Sequence, residues 1–191
     1  MLAHVQLLRG QNAAAQAAAE KALTLNQAVQ TRFVAAQVFA GLGKEAKARE
    51  LAAALAAESQ IEPQAYAKLI EGEIALKNGN SQMAIQRFTE ANNLLDTWIG
   101  RFDLGRAYLE AGKFVEADSE FDRCIKRRGE ALALFLDLST YGYYPPVYYY
   151  QGRAREGMKT AGFAESYKKY LSIRGKGDDP LASDARKRAG L

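Results

Sequence analysis

A glycine followed at fixed distances by small residues recurs along this chain, and that recurrence limits the fold more than any other feature. Gly10, Ala15, Ala19 and Ala22 return 33 residues on as Gly43, Ala48, Ala52 and Leu55. The set returns after a further 36 residues as Gly79, Ala84, Phe88 and Ala91, and after another 33 as Gly112, Ala117, Phe121 and Cys124. Ala36, Gly72 and Gly105 keep step by the same 36 and 33. Such a period holds two amphipathic helices and a turn, so each unit reads as a helical hairpin with small residues where its helices cross. Gly43, Gly79 and Gly112 are placed to take a positive φ and end the first helix. Gly72 and Gly105 lie inside first helices, where Gly costs about 0.5 to 1 kcal/mol relative to Ala and close packing must compensate. The 35 Ala, 19 of them in the first 57 residues, point the same way, to an all-α protein.

The units form one array over 1–191: a shortened first repeat at 1–27, then 29–61, 63–96 and 97–128. Gly152 lies 47 residues after Gly105, while Phe163, Tyr167 and Tyr170 lie 46 after Ala117, Phe121 and Cys124. A fifth unit at 145–174 therefore follows an insertion at 129–144 and has lost one residue from its turn. Glu130 to Leu138 has helical spacing and is expected to form a short helix, followed by a Tyr-rich turn closed by Pro145-Pro146. After Gly175-Lys176-Gly177, Asp179 as N-cap and Pro180 as first helical residue open a polar helix within 178–190, suited to closing an array. About nine residues precede Gly10, so the chain is expected to begin inside a repeat and to be a piece of a longer protein.

Leu104-Gly105, Tyr108, Gly112, Ala117, Phe121 and Cys124 resemble the tetratricopeptide repeat (TPR), with its L-G-x2-Y followed by A-x3-F. Arg101 stands where that pattern prefers Trp and Gly129 near its usual closing Pro, neither of which defines the hairpin. The third unit matches at Gly72, Ala84, Phe88 and Ala91. The resemblance implies an α-solenoid, a right-handed superhelix of four to five hairpins plus a C-terminal capping helix. The segment from Phe114 through Tyr150 to Asp179 also resembles TPR regions behind bacterial serine/threonine kinases of eukaryotic type, which implies a regulatory region of a larger signalling enzyme as the alternative role.

Catalytic chemistry finds little to work with. His4 is the one imidazole, which removes Ser-His-Asp, Cys-His and two-His metal sets together. Cys124 has no disulfide partner and occupies a recurrent small position, so it reads as a packed thiol. Gly41-Leu42-Gly43-Lys44 lacks the upstream Gly and the Ser/Thr of a phosphate loop, and Asp178-Asp179 lacks the spaced oxygens of a calcium loop. No catalytic residue, cofactor or metal is expected. No stretch approaches the roughly 18 to 20 apolar residues that span a bilayer. The free thiol and the lack of Asn-x-Ser/Thr are compatible with the cytoplasm, which is the expected location. Residues 151–191 carry +5 and the other 150 residues −1, for a net +4, and Arg123, Lys126, Arg127 and Arg128 cluster near a helix end. Nucleic-acid binding through these is a lesser alternative, since it calls for a broader basic face.

Binding of a protein or peptide is the remaining class. In TPR proteins the first helices line a concave groove, and the resemblance carries that role to Gln30, Phe33 and Gln37; Tyr66, Leu69 and Glu73; Ile99, Phe102 and Arg106; and Tyr149 and Arg153. Packing between units is the competing role for Phe33 and Phe102. Arg106 has Asp103 and Glu110 at helical spacing to neutralise it. The Lys-and-Asn carboxylate clamp of some TPR proteins is not reproduced, because Glu73 and Arg106 stand where Asn is wanted. Tyr141, Tyr143, Tyr144 and Tyr148, with Tyr149 and Tyr150, place six of the ten Tyr in ten residues. They form either an aromatic hot spot or a plug between units four and five. Another domain of the parent chain, or a second copy stacked on the N-terminal end, would also serve as partner.

Overall fold

The structure, a computed structural model, describes residues 2–132, 143–174 and 180–191. Among these residues it has twelve helices and no strand. Tyr141, most of the expected 130–138 helix, Gly175 to Gly177 and the Asp179 cap lie outside the described residues. The chain divides into two compact units, Met1–Gly100 and Arg101–Leu191.

The first unit holds α1 (Leu2–Leu8), α2 (Asn12–Leu25), α3 (Val29–Gly41), α4 (Glu45–Ala56), α5 (Ile61–Lys77) and α6 (Ser81–Leu94), and ends with the first residues of α7 (Trp98–Glu110). Consecutive helices pair as hairpins, and the first helix of each hairpin packs on both helices of the one before: α3 on α1 and α2, α5 on α3 and α4. The second unit holds the rest of α7, then α8 (Phe114–Lys126), α9 (Arg128–Leu132), α10 (Tyr144–Gly157), α11 (Phe163–Arg174) and α12 (Pro180–Ala189). There α10 packs on α8, α9, α11 and α12, and α11 on α12.

The turn repeats in atomic detail. Gly43 has φ +70°; its N–H donates to Ala40 at 3.0 Å, and the Lys44 N–H reaches back to Phe39 at 2.8 Å. These two bonds satisfy carbonyls left open at the end of α3. Gly10, Gly79 and Gly112 repeat both the left-handed φ and the bond pair. The register position 47 residues after Gly112 is Lys159, and it makes the same two bonds at φ +55° although it is not glycine. A β-carbon in that region costs about 1 to 2 kcal/mol. Lys159→Gly is expected to raise unfolding free energy by about 1 kcal/mol after glycine's greater unfolded-state entropy is subtracted, read from urea unfolding at constant m-value.

Inside each hairpin the crossing is built on complementary volume. The paired positions hold Ala3 and Ala19, Ala36 and Ala52, Gly72 and Phe88, Gly105 and Phe121, and Gly152 and Tyr167, all buried. Where the second helix brings a ring, the first gives up its β-carbon. A Cβ at Gly72 would lie 2.5 Å from the Phe88 ring, one at Gly105 2.7 Å from Phe121, and one at Gly152 2.7 Å from Tyr167. Ala15, Ala48, Ala84 and Ala117 fill the position one turn earlier and are fully buried. Phe163, in register with Ala117, stays half-buried with its ring edge-on to Tyr167, because a ring does not enter a site shaped for a methyl group.

Polar side chains tie the elements at their margins. In the first unit Lys68, Glu71, Arg87 and Glu90 form one ion-pair network across α5 and α6. In the second, Arg155 holds Asp118 at 2.9 Å and Ser166 at 3.2 Å, joining α8, α10 and α11. Helix α12 lays Ala182 and Ala185 against Tyr149, Tyr167 and Tyr170. Its Asp184 accepts from Tyr149 at 2.7 Å, and its Arg188 donates to Glu156 at 2.8 Å.

Candidate interaction surfaces

In the first unit α1, α3 and α5 lie side by side, so residues in register form files across them. Phe33 stacks on Tyr66 with ring centroids 4.4 Å apart and 21° between planes, and Tyr66 donates its hydroxyl to Glu62 at 2.8 Å. Phe33 is 0% exposed, Leu69 2% and Tyr66 4%, and Ile99 is also buried. These apolar members are packed between hairpins, so their rings make a floor and not a free surface. The accessible members are polar: Gln30, Gln37 and Glu73 are half-buried. His4 falls in the same file, 33 residues before Gln37. Burial pushes its imidazole pKa down, and the Glu73 carboxylate acts against that shift. Its place in the file is readable in the sequence through the 33-residue step, whereas its role there is not catalytic by any residue pattern around it.

In the second unit Phe102 and Tyr143 meet, although sequence reasoning assigns them to different surfaces. Phe102 has Tyr150 at 5.6 Å, Tyr143 at 5.8 Å and Phe121 at 6.1 Å between ring centroids, and Tyr150 stacks on Phe121. Tyr149 is buried beneath α12. Burial and the bond to Asp184 push the Tyr149 phenol pKa up and Arg153 acts against that shift, while Arg106 pairs with Asp103 at 2.9 Å, the neighbour that helical spacing offered it. Tyr144 and Tyr148 are half-buried with their hydroxyls 2.9 Å apart. Tyr141 lies outside the described residues.

Cys124 is 1% exposed, and burial, reinforced by Glu120, pushes its thiol pKa well up, so it stays protonated. Among the described residues no group of three or more His, Cys, Asp or Glu is placed to hold a metal ion, and no helix is long and apolar enough to cross a membrane.

The repeated turn, the complementary seam and the hairpin order define the fold class as all-α, of the TPR-type helical-hairpin array. No protein-family model and no curated protein matches the chain in sequence. In structure it is similar to MamA protein, with a TM-score of 0.54 and 20% identity over 92% of this chain and 89% of that one. It is similar also to YrrB, described as a TPR protein with an unusual peptide-binding site, with a TM-score of 0.55 and 19% identity over 97% of this chain and 88% of that one.

Proposed function

We propose that this chain is a non-enzymatic protein-interaction scaffold, which holds a segment of a partner protein along the first helices of its hairpins. The observation that carries the reading is the stacked Phe33–Tyr66 pair, fully packed, in the same layer as the accessible Gln30, Gln37 and Glu73. A carboxamide both donates and accepts, so Gln30 and Gln37 can bond the N–H and C=O groups of an extended backbone. Because the rings beneath are immobilised by packing, the scaffold loses little freedom on binding and the partner bears most of the ordering penalty. The similarity to a peptide-binding TPR protein supports the same class of partner.

Phe33→Ala is a poor probe, since a large-to-small change at a buried aromatic destabilises by about 3 to 5 kcal/mol. The informative variant is Gln37→Arg, with Gln30→Ala as its companion. Once a partner is isolated by affinity capture and confirmed with purified components, Gln37→Arg is expected to weaken it at least tenfold with unchanged helicity. Equal affinity in both variants removes this face from the account.

A further inference from the structure

Asn78 and Gly79 form the left-handed turn between α5 and α6, and of the chain's six Asn only Asn78 is followed by Gly. Both residues are exposed. A backbone nitrogen that attacks the carboxamide carbon of the Asn before it closes a five-membered imide, and Gly obstructs that approach least because it has no β-carbon. Asparagine is counted among the thermolabile residues.

The fold restrains this pair. Asn78 sits at φ −83° and ψ 8°, which turns the Gly79 nitrogen away from the Asn78 side chain. Gly79, at φ +74°, donates its N–H to Leu76 at 3.1 Å, and the Asn80 N–H reaches back to Ala75 at 2.9 Å. The carboxamide is held as well: Asn78 Nδ2 donates to Glu45 Oε2 at 3.0 Å, while Arg49 donates to Oε1 at 2.7 Å. The bond from Asn78, ahead of that from Arg49, keeps the Glu45 carboxyl below the usual carboxylate range. Asn80, followed by Ser81, is fixed differently, because its side chain caps α6 by accepting from the Met83 N–H at 3.0 Å. Ring closure at Asn78 therefore waits only on the opening of an exposed helix end, one of the least costly local openings in a folded chain.

We propose that Asn78-Gly79 is a spontaneous deamidation site, whose turn sets the rate and whose product unties α5 from α4. The Gly79 nitrogen loses its proton to solvent and bonds to Asn78 Cγ, the Cγ–Nδ2 bond breaks, and Nδ2 takes up a proton and leaves as ammonia. One water then opens the imide at either carbonyl, giving aspartate or isoaspartate at position 78. Aspartate has no N–H for Glu45 and sets a second carboxylate against it. Isoaspartate also adds a methylene to the backbone, which puts the turn out of register with its bonds to Leu76 and Ala75. The lost bond joins the two hairpins whose Phe33 and Tyr66 rings stack.

The test ages the whole chain in mildly alkaline buffer, with and without enough guanidinium chloride to unfold it, and follows the one-dalton gain and the isoaspartate content at each Asn by peptide mapping. Modification at Asn78 ahead of Asn80 and the other four is expected, at least tenfold faster in the denaturant. Asn78→Gln, whose longer side chain would need a six-membered ring, is expected to suppress it with unchanged far-UV circular dichroism. Asn78→Asp is expected to lower the midpoint of urea unfolding, and to lower it less in a Glu45→Gln background. An unmodified Asn78 in both solvents, a rate that the denaturant does not raise, or earlier modification of Asn80 overturns the site. A midpoint that Asn78→Asp leaves unchanged overturns the untying.

Discussion

Gly72→Ala is expected to lower stability by about 1 to 3 kcal/mol in the native chain, and to be neutral or stabilising once Phe88 has been replaced by Ala. The added Cβ would stand 2.5, 2.6 and 2.9 Å from three atoms of the Phe88 ring. That ring is 0% exposed and so has little space in which to retreat. Helix propensity pulls the other way, since Ala is better than Gly inside a helix by about 0.5 to 1 kcal/mol, but overpacking is the larger effect. Phe88→Ala alone leaves a cavity and is expected to lose about 3 to 5 kcal/mol. In that background the steric objection to a β-carbon at position 72 is gone and the propensity gain remains. The first two hairpins already use this solution, with Ala3 opposite Ala19 and Ala36 opposite Ala52. The check is a double-mutant cycle by urea unfolding: a Gly72→Ala effect of the same size and sign in both backgrounds would mean that the ring and the glycine do not share a seam. Gly105 with Phe121 is expected to behave alike, its Cβ falling 2.7 Å from the ring.

The seam was legible because it is periodic: one subtraction of 33 or 36 residues finds glycine and ring together, and the structure then supplies the reason they covary. The turn was legible at Gly43, Gly79 and Gly112 for the same reason, but not at Lys159, where the chain keeps the left-handed conformation without the residue that favours it. Side-chain fate was harder to read. Phe33 and Tyr66 occupy positions that the family resemblance assigns to a groove, yet they stack on one another, because two rings in adjacent files bury more area together than apart. Tyr149 is covered by α12 and bonds Asp184, thirty-five residues on, a contact no period encodes. Arg106 was readable, since Asp103 lies one turn before it.

Ala185→Glu is expected to detach α12 while leaving α10 and α11 folded. Ala185 is 0% exposed against the Tyr149, Tyr167 and Tyr170 cluster, and a carboxylate forced there without a partner costs several kcal/mol. Helix α12 is short and polar, anchored by two alanines and the Asp184 and Arg188 contacts, so undocking relieves the charge more readily than global unfolding does. Hydrogen exchange should then show residues 181–189 losing protection, with α10 and α11 retaining theirs. Protection lost equally in all three helices would show that α12 is integral to the core. The same release is expected in acid. Burial works against the Asp184 charge, but the hydrogen bonds from Tyr149 and Arg188 outweigh it and hold the carboxyl below its usual range. A depressed folded pKa stabilises docking above the unfolded value of about 3.9, and that stabilisation fades as pH falls through the folded pKa. Tyr149 and Tyr167 exposure should therefore rise below about pH 4, and Asp184→Asn should show weaker docking at neutral pH with that acid step diminished.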